Sequence, residues 1–102
     1  MNRFYLMAEA SNRRFPEGVA PYQMATRLLE ECGEVAKEIN HWEGSGIKRQ
    51  KYGEPSPEKL AGELRQAITE LAKIARYYGV EAELDAAIEA SLARSRAEGL
   101  IE

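Results

Sequence analysis

The chain has 102 residues, 44% hydrophobic and 30% charged, with a formal net charge of −3. That mix fits one small domain, and the acidic balance excludes broad attraction to nucleic acid, because the one basic cluster, Lys48-Arg49-Gln50-Lys51, is short. The single cysteine, Cys32, excludes an intrachain disulfide and a thiolate zinc site; with no apolar run of about 18 residues and no signal-peptide pattern, a reducing, cytoplasmic setting without a membrane span is expected.

In chain order, a short helix from about Asn2 to Ser11 carries Phe4, Leu6 and Met7 toward a core, and the stretch from Asn12 to Gly18, with Pro16, breaks it. A long helix follows from about Pro21, a residue suited to the first helical position, to about Trp42. Leu28, Cys32, Val35, Ala36, Ile39 and Trp42 form its apolar arc, and Glu30, Glu31, Glu34 and Glu38 crowd the adjoining arc of about 100°. Glu43 to Pro55 reads as a mobile connection, with glycines around a basic run. Ser56-Pro57-Glu58 then supplies a cap, a first-turn proline and an acid at the positive end of the next helix.

That third helix carries a stripe of Leu60, Leu64, Ala67, Ile68, Leu71, Ile74, Ala75 and Tyr78, predicted as core, and Gly79 suits its end. Glu63 and Glu70 lie at the margin of the stripe, with Gln66 turned further out. A last helix runs from about Glu81 to Glu98, with Leu84, Ala87, Ile88, Ser91 and Leu92 on one side and Gly99 to terminate it. The expectation is an all-α bundle of two long core helices with shorter flanking helices, residues 1–102 forming one domain. A domain of this size buries only about 60–70% of its unfolded surface, so stripes this wide predict a homodimer or homotetramer.

Glutamates at i,i+4, here Glu30 with Glu34 and Glu34 with Glu38, each cost a helix about 0.2–0.5 kcal/mol unless something positive lies between them. Magnesium or manganese would remove that repulsion, since carboxylates suit hard cations and magnesium keeps positions open for phosphate oxygens. Glu31 and Glu34, three apart, hold their Cβ atoms about 5–6 Å from each other, and Glu63 can approach from the neighbouring helix. The plain alternative is a solvated face: glutamate is a good helix former, and Arg27 and Lys37 can pair with it. Lys48, Arg49 and Lys51 can neutralise phosphate charge, and Tyr52 can stack on a base, or all four belong to an ordinary loop. Trp42 reads as core, His41 as a surface histidine, and Arg94 and Arg96 as complements to the helix dipole.

The run Glu30-Glu31-Cys32-Gly33-Glu34 on one helix, followed by Leu60-Ala61-Gly62-Glu63-Leu64 opening the next, resembles the MazG-like all-α nucleoside triphosphate pyrophosphohydrolases, whose pattern is Glu-Glu-x-x-Glu and then Glu-x-x-Asp. The resemblance extends from about Phe15 to Val80. It implies that acids of both motifs hold magnesium and that a nucleoside triphosphate is cleaved to monophosphate and pyrophosphate. By position, Glu31, Glu34, Glu63 and Gln66 would be the metal ligands and Glu30 a ligand or a catalytic base. Gln66 departs from the pattern, standing where the family has aspartate, and its amide offers a neutral oxygen but no charge and no base. Two outcomes follow: an active site with one neutral ligand, or a degenerate relative that binds nucleotides or serves as an interaction module. Glu70, about 10 Å along the axis from Glu63, reads as an ordinary surface partner of Lys73.

Overall fold

A computed structural model describes residues 2–44 and 50–102, and among them 81% helix and no strand are found. Four helices carry the fold: α1 (Asn2–Arg14), α2 (Pro21–Glu43), α3 (Pro57–Tyr78) and α4 (Glu81–Ala97). No helix among the described residues is long and apolar enough to cross a membrane.

The ends of these helices follow from local chemistry. α1 runs three residues beyond the expected Ser11, because Glu9 and Arg13 pair at 2.8 Å one turn apart and the Phe15 amide still donates to the Ser11 carbonyl. Pro21 opens α2, and the Gln23 side chain accepts from the Ala20 amide at 3.1 Å. The Ser56 hydroxyl accepts from the Lys59 amide at 3.2 Å, which satisfies one free donor at the start of α3. Gly79 ends that helix at φ 65° and ψ 34°, and the Val80 amide reaches back to the Ala75 carbonyl at 3.0 Å. Gly99, at φ 75°, closes α4 in the same way, with the Leu100 amide on the Ser95 carbonyl.

α3 is the central element, packed on α1 along one flank and on α2 along another, while α4 touches it only lightly. α2 and α3 run antiparallel, since Glu38 near the end of α2 pairs with Lys59 at the start of α3. The α1–α3 contact is partly polar. Arg76 donates to the Tyr5 carbonyl at 3.1 Å, and the Lys73 ammonium lies 3.5 Å from the Ser11 hydroxyl.

The core differs from the one that periodicity predicts. Among the described residues only Ala8, Met24, Ala72 and Ala75 are buried apolar ones, whereas Glu38, His41, Thr69, Glu70 and Lys73 are buried polar ones. Of the α3 stripe, Leu64, Leu71 and Tyr78 are exposed, and on α2 Cys32, Ala36 and Ile39 are exposed as well. Leu6 of α1 is also exposed. No residue of α4 is buried. The radius of gyration, 16.9 Å, exceeds the value of about 13 Å usual for a compact domain of this length. The physical reason is that α1 and α2 approach α3 beside its leucine line rather than on it.

Candidate functional site

The line of α2 that meets α3 contains Met24, Leu28, Glu31, Val35, Glu38 and Trp42, a 3–4 spacing that keeps one edge of a helix against its neighbour. Two of the six are acids, so the packing itself draws carboxylates inward. Glu31 and Glu63 are half-buried, Glu70 is buried, and Glu34 stays exposed at the rim. Glu31 is pushed above the ordinary carboxylate value, first by burial and then by the charges of Glu63, Glu70 and Glu34, with Arg27 opposing them. One of its oxygens is buried without a hydrogen-bond partner. Negative charge therefore collects here with too little positive charge to balance it.

Glu70 departs from its expected surface position. It pairs with Lys73 at 3.6 Å, as the i,i+3 spacing predicts, but both side chains are buried and Lys73 is only 1% exposed. Gln66 is exposed. Glu30 is exposed too, and it lines a different opening: a cleft of about 370 Å³ shared with Gly18, Tyr22, Gln23, Thr26 and Arg27. Arg27 also borders a neighbouring cleft with Arg14 and Phe15, and its guanidinium lies 5.8 Å from the centre of the Phe15 ring. Spacing predicts Arg27 only as a partner for glutamate; that it opposes the charge gathered around Glu31 and lines both clefts is seen only in the structure.

Two turns along α2 from Glu31, a small cavity is lined by Lys37, Glu38, His41, Tyr52 and Lys59. His41 is buried, not on the surface as expected, and its Nε2–H donates to the Gly53 carbonyl at 2.8 Å. A carbonyl only accepts, so that nitrogen must carry the proton. Tyr52 meets the His41 ring edge-on at 6.3 Å, and the Lys51 ammonium lies 5.3 Å from the Tyr52 ring centre. Glu38 holds Lys59 at 3.7 Å through one oxygen, while its other oxygen is buried without a hydrogen-bond partner. Lys48 and Arg49, expected to meet phosphate, lie outside the described residues.

The acids between α2 and α3 have the donor chemistry of a magnesium site, hard oxygens in charge excess. They are not a finished cage: among the described residues no three His, Cys, Asp or Glu side chains stand close enough together to hold an ion. Compared with family models, curated proteins and solved structures, the chain matches none.

Proposed function

We propose that the chain is a magnesium-dependent nucleoside triphosphate pyrophosphohydrolase of the MazG-like all-α type. The observation that carries the reading is Glu31, half-buried among Glu63, Glu70 and Glu34 with one oxygen unpartnered. A bound cation would ease the burial of like charges gathered in this way. Glu31, Glu34 and Glu63 would hold magnesium, with manganese as a substitute, and Gln66 would have to turn inward to offer its carbonyl oxygen. When bound, the ion supplies positive charge to the phosphates and lowers the pKa of a water molecule. Glu30 would turn from the cleft it shares with Arg27 to hold that water's proton, and Arg27 would meet phosphate oxygens. The unpartnered Glu38 oxygen is suited to accept an N–H from a base, with the half-open Tyr52 ring alongside it.

A second reading rests on Gln66, which is neutral and exposed. With the second motif short of one carboxylate and Glu70 already held by Lys73, the same helices would serve as a nucleotide-binding or assembly module without turnover.

The deciding experiment incubates the purified protein with magnesium and a panel of nucleoside triphosphates and measures pyrophosphate. The proposed activity requires release from at least one substrate, lost by about a hundredfold or more in Glu31→Gln and Glu63→Gln variants that keep their helical circular dichroism. Release from none would give the field to the second reading.

A further inference from the structure

We infer that Lys73 is a cation built into the acid site: its buried ammonium takes the place of a second metal ion at Glu70, so that the chain holds one divalent ion rather than two. The inference rests on the metal reading above and concerns a residue to which that reading gives no part.

A lysine ammonium is a compact, strongly hydrated charge that is almost never fully buried unless it is paired. Lys73 is 1% exposed, and its Nζ lies 3.6 Å from Glu70 Oε2 and 3.5 Å from Ser11 Oγ. Both distances exceed the usual N–H···O range of about 2.7–3.2 Å, so charge rather than directed bonding sets where the ammonium sits. Glu70 Oε2 is itself buried without a hydrogen-bond partner, and so is one oxygen of Glu31. The two acids belong to one electrostatic cluster, since the charge of Glu70 helps to push Glu31 above the ordinary carboxylate value. Lys73 therefore stands at an oxygen with the character of a metal ligand: buried, anionic and bare of donors.

Position and charge give the same count of ions. Glu63 and Glu70 stand about 10 Å apart along α3, so an ion held by Glu31, Glu34 and Glu63 does not reach Glu70, which would need an ion of its own. The ammonium already fills that need. Against the carboxylates of Glu31, Glu34, Glu63 and Glu70, the charges of Arg27 and Lys73 leave a deficit that one divalent ion fills. A second would leave the space between the helices with excess positive charge, at the cost that buried unbalanced charge carries. Because Ser11 belongs to α1, the ammonium is held by the packing of α1 on α3 and does not exchange with solvent cations as a free ion does.

Lys73→Met removes the charge and keeps most of the side-chain volume. Manganese titration of the full chain, followed by the loss of free-ion signal in electron paramagnetic resonance, should count one more ion per chain in this variant than in the wild type. Saturating manganese should also raise its melting temperature about twice as far as that of the wild type, because two ions then bind the folded state. Glu70→Met together with Lys73→Met should return the count to the wild-type value. If Lys73→Met does not fold alone, refolding in manganese decides: recovery of helical circular dichroism with the ion supports the inference, and failure to fold with it overturns it. An equal ion count in the wild type and Lys73→Met overturns it as well, and leaves the metal reading standing if that count is one. A wild type that binds no manganese removes the metal reading, while the gain of an ion on loss of Lys73 still decides the role of the ammonium.

Discussion

The inner and outer sides of the α2–α3 pair invert the usual distribution of side chains. Toward each other, and toward α1, these helices present Glu31, Glu38, Glu63, Glu70 and Lys73; away from each other they present Leu29, Ile39, Leu64 and Leu71. A solitary helical domain does the reverse, because an uncompensated buried charge costs several kcal/mol and an exposed leucine forgoes about 1.5–3 kcal/mol of burial. The difference teaches that the two sides answer to different demands. The inner side gathers ionisable side chains and the outer side exposed apolar ones.

The sharpest way to break the comparison is through the one cation already inside. Lys73→Met leaves Glu70 buried without its partner, so urea denaturation should show a loss of about 3–5 kcal/mol, while Glu70→Met together with Lys73→Met should recover most of it. Equal losses in the single and the double variant would mean that the pair does not hold the inner side together.

The helices themselves were legible because their ends are written locally. Pro21, Ser56-Pro57, Gly79 and Gly99 each act through their own backbone or cap, so the bounds of α2, α3 and α4 fall within a residue or so of expectation. The core was not legible, for a physical reason. Periodicity shows that Leu64, Leu71 and Tyr78 share a face, but not which neighbour, if any, will lie on it. The same gap hid His41, drawn inward by Gly53 twelve residues on, and Glu70, drawn inward by the approach of α2. Cys32 erred in the other direction, read as packed and found exposed. The acid motif was visible as a motif, yet its division, with Glu31 facing α3 and Glu30 facing the Arg27 cleft, appears only when the helices are set side by side.

A next sharpening restores charge to the inner side. Gln66→Asp should tighten manganese binding about tenfold, read by the loss of free-ion signal in electron paramagnetic resonance, and raise turnover if the missing carboxylate limits it. No change in either would place Gln66 outside the ion's reach.

A smaller effect concerns pH. The Glu31 pKa is raised in the folded chain, so its burden is absent below the unfolded value near 4.5 and grows as pH rises through the folded value. Glu31→Gln should therefore melt above the wild type at pH 7, with the gap closing toward pH 4.5, even though it loses any activity. Saturating magnesium should raise the wild-type melting point and leave the variant where it was. A variant that melts below the wild type at every pH would show that the acid cluster is not short of positive charge.

The smallest expected change lies outside the comparison and calibrates it. Ser56→Ala removes the cap on α3 and should cost about 1 kcal/mol by the same denaturation measurement, with no effect on ion binding.

Gly79 carries a consequence for the architecture as a whole. With Val80 it makes the joint between α3 and α4, and its left-handed backbone is one that side-chain-bearing residues adopt only at a cost of about 1–2 kcal/mol. The acids between α2 and α3 all lie upstream of that joint. A side chain at that glycine would strain the turn into the C-terminal arm, which touches α3 only lightly, and would leave the α2–α3 acids where they are.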